Sequence, residues 1–158
     1  MNELNILLEQ YKLFVEMADR VSNRRASMNK FYVSLLAGLF AILSITNSIE
    51  QNKLYTLTIL AITSFLGLAL CAIWWLNLLS SKQLNNAKWK VIHEIESQLP
   101  AQPWGKEWEY LGHGNSYKEY LKSTTIERLI PAALSLPYLA LLVYSSFSLF
   151  TRIGSHTP

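Results

Sequence analysis

The side chains best suited to chemistry are few, and their spacing does not suit them to it. Only three histidines occur, His93, His113 and His156, and one cysteine, Cys71. His93 and Glu94 are neighbours, and adjacent residues on a helix point in different directions, so they form no chelate by themselves. A hydrolytic centre of His93, Glu94 and His113 would require all three to converge; otherwise they belong to a solvated helix face and a loop. Gly112-His113-Gly114 is too short to cradle a phosphate, and no nucleophile elbow or CxxC pair occurs. No catalytic residue, cofactor or metal is expected, and Cys71 reads as a small residue within an apolar run.

The elements that carry these residues point to a membrane. Of the 158 residues 51% are hydrophobic and 16% charged, against roughly 25% charged in soluble domains. Segments 31–49, 54–79 and 129–150 contain no charged residue. About 20 apolar residues cross a bilayer, so each qualifies as a span. A globule of this size cannot shelter three helices that are apolar on every face. The middle run would measure roughly 39 Å and must tilt or extend into the headgroups. Trp74 and Trp75 read as an interfacial anchor, Pro131 as a first-turn proline and Pro137 as a kink. The polar start of the chain leaves no place for a cleaved signal peptide, and 31–49 is expected to act as an uncleaved anchor.

Lysine and arginine set the expected orientation. Lys12, Arg20, Arg24, Arg25 and Lys30 precede the first run, and seven more lie between the second and third, from Lys82 to Arg128; only Lys53 and Arg152 face the other side. The positive-inside rule then places 1–30 and 80–128 in the cytoplasm, with the 50–53 turn and the 151–158 tail outside. The net charge of +3 is topological: bases interleave with acids, which argues against a nucleic-acid partner.

The fold class expected is all-α and integral to the membrane, with three transmembrane helices and amphipathic cytoplasmic helices forming a collar. Leu4, Leu7, Leu8, Tyr11, Phe14, Val15, Ala18 and Val21 recur at helical spacing, Asn2 is a candidate cap, and Glu16–Arg20 is a supporting i,i+4 pair. Leu84, Ala87, Val91, Ile95 and Leu99 predict a helix ending at Pro100. An aromatic loop with Trp104, Trp108 and Tyr110 follows as a plug for the bundle, then a helical segment from Ser116. Small residues recur in the spans: Ser34, Gly38, Ala41 and Ser48 in the first; Thr63, Gly67 and Cys71 in the second; Ala132, Ser135 and Ser146 in the third. Such faces let helices approach closely or line a pore. The spans contain no acid or histidine, which argues against a proton-coupled carrier.

Two blocks carry a resemblance. Tyr11-Lys12, Val15 to Ser22 with Glu16, Asp19 and Arg20, and Arg24-Arg25 form the first. The second comprises Trp74-Trp75, Leu84-Asn85, Ala87-Lys88-Trp89, Val91-Ile92, Glu94, Glu96 and Leu99-Pro100. Together they resemble the RipA family of small octameric membrane proteins. The resemblance implies a homo-octamer in the bacterial cytoplasmic membrane, surrounded by lipid and linked in some members to adaptation inside host cells. The layout is also similar to SLATT-type predicted pore-forming effectors, though a third span departs from their two. The function expected is a gated pore or membrane effector that reads a small-molecule signal or cytosolic partner, or a non-conducting scaffold.

Overall fold

A computed structural model describes residues 3–49, 52–112 and 123–154. Four helices occur among them: α1 (Glu3–Ile49), α2 (Lys53–Glu96), α3 (Pro103–Tyr110) and α4 (Ser123–Gly154). α1 and α2 run unbroken for 47 and 44 residues, joining polar and apolar sequence in single helices. Asn52 starts α2 as an N-cap: its Oδ1 accepts from the backbone N–H of Leu54 at 3.1 Å, satisfying one of the donors that a helix start leaves free. The 50–53 turn therefore ends one residue early, because Lys53 is already helical.

The chain divides into two compact units. The charged unit comprises Met1–Met28 and Asn77–Arg128; the apolar unit comprises Asn29–Leu76 and Leu129–Pro158. Three of the helices are long and apolar enough to cross a membrane. In the best spanning stretches of α1 and α4, 11% of residues are buried by the protein itself. Phe65, Leu129, Leu136, Phe147 and Phe150 are each at least 63% exposed. A water-soluble protein rarely leaves so many large apolar side chains uncovered, whereas lipid solvates them.

Burial along each long helix includes a seven-residue seam, with Leu36, Thr63, Gly67, Trp74 and Glu96 buried beside it. In α2 the seam is Leu57, Ser64, Cys71, Leu78, Asn85 and Ile92, all but Asn85 buried. In α4 it is Pro131, Tyr138 and Ser145, each under 2% exposed. In α1 it is Tyr11, Ala18, Arg25 and Tyr32. A seven-residue repeat is the period that keeps one face turned towards a packing partner along a long helix.

In the apolar unit large and small residues interlock on and beside this seam. The Trp74 indole N–H donates to Asn29 Oδ1 at 2.8 Å, and its ring stacks on Tyr32 at 5.5 Å and 9°. Trp74 is wholly buried, so it packs within the protein instead of anchoring at the headgroups, which corrects the sequence reading; a buried indole needs just such an acceptor. The Tyr138 hydroxyl donates to the Leu36 carbonyl at 2.7 Å, and its ring stacks on Phe40. Gly67 makes room for that ring: a Cβ there would overlap it.

Three further expectations change. Pro131 is not in a first turn, because α4 begins at Ser123, and its ring is buried within the helix. The buried face of α2 beyond Leu78 is Asn85, Ile92 and Glu96, one position round from the predicted Leu84–Ala87–Val91 stripe; Leu84 is 50% exposed. At the start of α1, Leu4 and Leu8 are exposed while Ala18 is buried. Asn2 and the segment from Ser116 lie outside the described residues, apart from 123–128, which belong to α4.

Candidate functional site

The charged unit is organised around one buried carboxylate. Glu96 ends α2 with 2% of its surface exposed. A carboxylate at a helix C-terminus is electrostatically misplaced with respect to its own helix. α3 corrects this by presenting its N-terminus. The backbone N–H groups of Trp104 and Gly105 donate to Glu96 Oε1 and Oε2 at 2.8 and 3.2 Å. Pro103 at the first helical position has no N–H to satisfy, which suits the arrangement. From α1 the Tyr11 hydroxyl donates to Oε1 at 3.3 Å, and His93 Nδ1 lies 3.3 Å from Oε2. Glu96 thus joins α1, α2 and α3. Burial, and secondarily the Glu96 charge, push the Tyr11 hydroxyl from 10.0 up to about 12.

A second polar contact lies within the same unit. Arg25 Nε and Glu127 Oε2 are 2.9 Å apart with side chains 11% and 22% exposed. The atoms pair as charges without hydrogen-bond alignment, and Asn85 Oδ1 is also buried without a hydrogen-bond partner. Arg25 occupies the α1 seam, where an apolar residue would be the ordinary choice.

Beside the Glu96 junction a cavity of about 500 Å³ opens between α2 and α3. Trp89 and Trp104 wall it with ring centroids 5.0 Å apart and planes at 65°. Trp108, Lys90, His93 and Glu107 complete the chemistry of its lining. The aromatic stretch expected to plug the bundle is therefore a helix, and none of its residues is fully buried. A smaller cavity in the apolar unit is lined by Leu43, Ile59, Leu60 and Leu141 together with the hydroxyl-bearing Thr46, Thr56 and Tyr144.

The profile of the Octameric membrane protein family (8xMP) matches residues 8–147. The chain belongs to the Octameric membrane protein family. The resemblance drawn from the blocks around Glu16 and Trp89 holds at that level. No curated protein and no solved structure matches the chain.

Within this family member the sequence-selected residues divide sharply. Thr63, Gly67 and Cys71 are buried in the apolar unit, so their small size serves packing within one copy. Ser34, Gly38, Ala41, Ala132 and Ser146 are exposed, and Ser135 is half-buried with its hydroxyl donating to the Ala132 carbonyl. A Cβ at Gly38 would meet nothing within 4 Å. The side chain of Ser48 lies outside the described residues, as do His113 and His156. Of the polar residues in the motif, Glu16 and Arg20 form the expected pair at 2.7 Å on the surface; Asp19, Arg24 and Glu94 are exposed, and Lys88 is half-buried. Arg25, Asn85, Trp89 and Glu96 are the ones the fold engages. His93 turns to Glu96, while Glu94 is exposed. Among the described residues no three metal-ligating side chains converge. Sequence reasoning placed Tyr11 and Ala18 on one helix face but missed Ser64, and it missed the bond from Tyr11 to Glu96.

Proposed function

We propose that eight copies of this chain assemble in the bacterial cytoplasmic membrane as a non-enzymatic, gated pore or membrane effector. The charged unit forms a cytoplasmic collar that reads a small-molecule signal or a cytosolic partner, and the C-terminus lies outside. One observation carries the reading most: the Ser34–Gly38–Ala41 face of α1 is small, apolar-flanked and uncovered in the single copy. Small faces in membranes are where helices approach one another closely, and the family takes its name from an octamer.

Two measurements test it. Native mass spectrometry of the purified protein is expected to give eight copies, and proteoliposomes are expected to leak a small dye once the signal is supplied. Mass spectra showing only monomers would overturn the assembly, and sealed liposomes under every condition would overturn the pore. Orientation is checked with cysteine labelling, for which buried Cys71 gives low background. Lys53→Cys should react with an impermeant maleimide in intact cells, and Lys106→Cys only after lysis.

A non-conducting scaffold is the second reading, and a specific feature favours it. Ser44, Thr46, Thr58, Ser135 and Ser145 each donate their hydroxyl to a carbonyl of their own helix. Hydroxyls so engaged have no donor left for an anion, and only their lone pairs remain for water or a cation. A lipid-filled central axis would accord with the scaffold, a hydrated one with the pore.

A further inference from the structure

The cavity between α2 and α3 brings three indoles together at the edge of the Glu96 junction. Trp89, Trp104 and Trp108 are each only partly covered, around about 500 Å³ of open volume. That is within the range of small-molecule sites. The angle between the walls selects the occupant. Two parallel rings would make a slot for a planar ring, but Trp89 and Trp104 stand at 65°. Such a corner suits a compact organic cation, which indole faces attract through their quadrupole. Glu107 lines the same cavity and supplies a countercharge, while Lys90 lines it with the opposite sign. His93 is already turned to Glu96, which leaves Lys90 as the cation available to an acidic group. A simple anion would meet Glu107, and a simple cation would meet Lys90. A molecule bearing both charges meets neither conflict.

We infer that the Trp89–Trp104–Trp108 cavity binds a small zwitterion, its substituted ammonium in the indole corner beside Glu107 and its acidic group on Lys90. Phosphocholine-like and betaine-like compounds have this chemistry, either as free solutes or as lipid headgroups. The inference deepens the proposed signal-reading role of the charged unit and rests on that reading for its purpose; binding itself is measured without any conductance. Failed leakage leaves the site standing, and failed binding leaves the pore standing.

The test titrates the intact protein in a maltoside detergent and follows indole fluorescence and heat. Phosphocholine should bind saturably. Tetramethylammonium should bind about tenfold more weakly, and uncharged 3,3-dimethylbutan-1-ol more weakly still. Lys90 and Glu107 are both exposed, so their substitution leaves the fold intact. Lys90→Ala should weaken phosphocholine about tenfold and spare tetramethylammonium, whereas Glu107→Gln should weaken both. Nanodiscs with and without phosphatidylcholine assign the source. Reduced apparent affinity for free phosphocholine in the former identifies a headgroup, unchanged affinity a free solute, and both uphold the site. The inference is overturned if no titrant saturates, if the neutral alcohol binds as tightly as phosphocholine, or if both variants bind like the parent.

Discussion

The Glu96 carboxylate gathers polar contacts from Tyr11, His93, Trp104 and Gly105. Hydrogen bonds to a charged partner contribute about 1.5–3 kcal/mol each, and here the acceptor is the residue that fixes the start of α3. Glu96→Gln keeps the volume but replaces one acceptor oxygen with a donor facing N–H groups. Hydrogen exchange at Trp104 and Gly105 should quicken by at least an order of magnitude in the variant, and stability should fall by about 2 kcal/mol; unchanged protection would disprove the link. Tyr11 gives a second readout. Its folded value of about 12 exceeds the ordinary 10.0, so the folded state holds the proton more tightly than the unfolded one. The stability this supplies is complete below pH 10 and is lost as pH rises towards 12. Ultraviolet titration of phenolate should show the Tyr11 transition moving down in Glu96→Gln without reaching 10.0, because burial, the larger cause, remains. The Arg25–Glu127 contact makes a separate case. Removing one partner of a buried pair strands the other charge, so Glu127→Ala should cost about 3 kcal/mol in denaturant or thermal unfolding. The double variant Arg25→Met/Glu127→Leu should recover most of it; a double variant as unstable as the single would show that the cost is not electrostatic.

At the scale of elements, two glycines separate packing within a copy from surface that is left open. Gly67→Ala forces a Cβ against the Tyr138 ring and should destabilise the apolar unit by about 1–3 kcal/mol. Gly38→Ala adds its Cβ to open space and should leave the unfolding temperature of a dissociated protomer unchanged or slightly raised. Equal losses at both sites would mean that the Tyr138 contact is not what Gly67 provides. The small size of both residues was legible in the sequence, but which one faced a neighbour was not. Uncharged runs announced the three long apolar helices because lipid demands uniform hydropathy. That same uniformity hides which face turns inward, since no polar side contrasts with it. The α2 seam was harder still. It passes through Ser64, Cys71 and Asn85, and a search for apolar periodicity steps past such residues to exposed Leu84. Glu96 stood in the sequence as one acid among several on a polar helix. Its role depends on α3 folding back after Pro100 and Pro103, a tertiary event that residue spacing does not encode. The Trp-walled cavity was hidden for the same reason, because its walls come from α2 and from a stretch that read as a loop.

For the whole molecule, symmetry and topology together restrict how copies can meet. Each copy carries the same lysine and arginine distribution, so under the proposed positive-inside topology every copy inserts the same way up. Two-fold axes in the membrane plane would invert half of them, so the proposed assembly of eight equivalent copies is a closed ring. A ring requires a heterologous interface, in which one surface of a copy meets a different surface of the next. The protomer offers a matching pair: the shallow Ser34–Gly38–Ala41 face on α1, and on α4 an exposed row of large residues, Leu129, Leu136, Val143 and Phe150, again spaced by seven. Shallow face against large row is the combination that buries most contact between helices in lipid, where hydrophobicity alone favours neither association nor separation. Gly38→Leu fills the shallow face from a Cβ that meets nothing in its own copy, so native mass spectrometry should show the octamer replaced by smaller species while helix content stays unchanged. Val143→Ala should weaken the same contact from the opposite side, and Phe65→Leu on α2, outside both surfaces, should leave eight copies intact. An octamer that survives Gly38→Leu would mean that the small face of α1 looks onto lipid and that the ring closes through other helices.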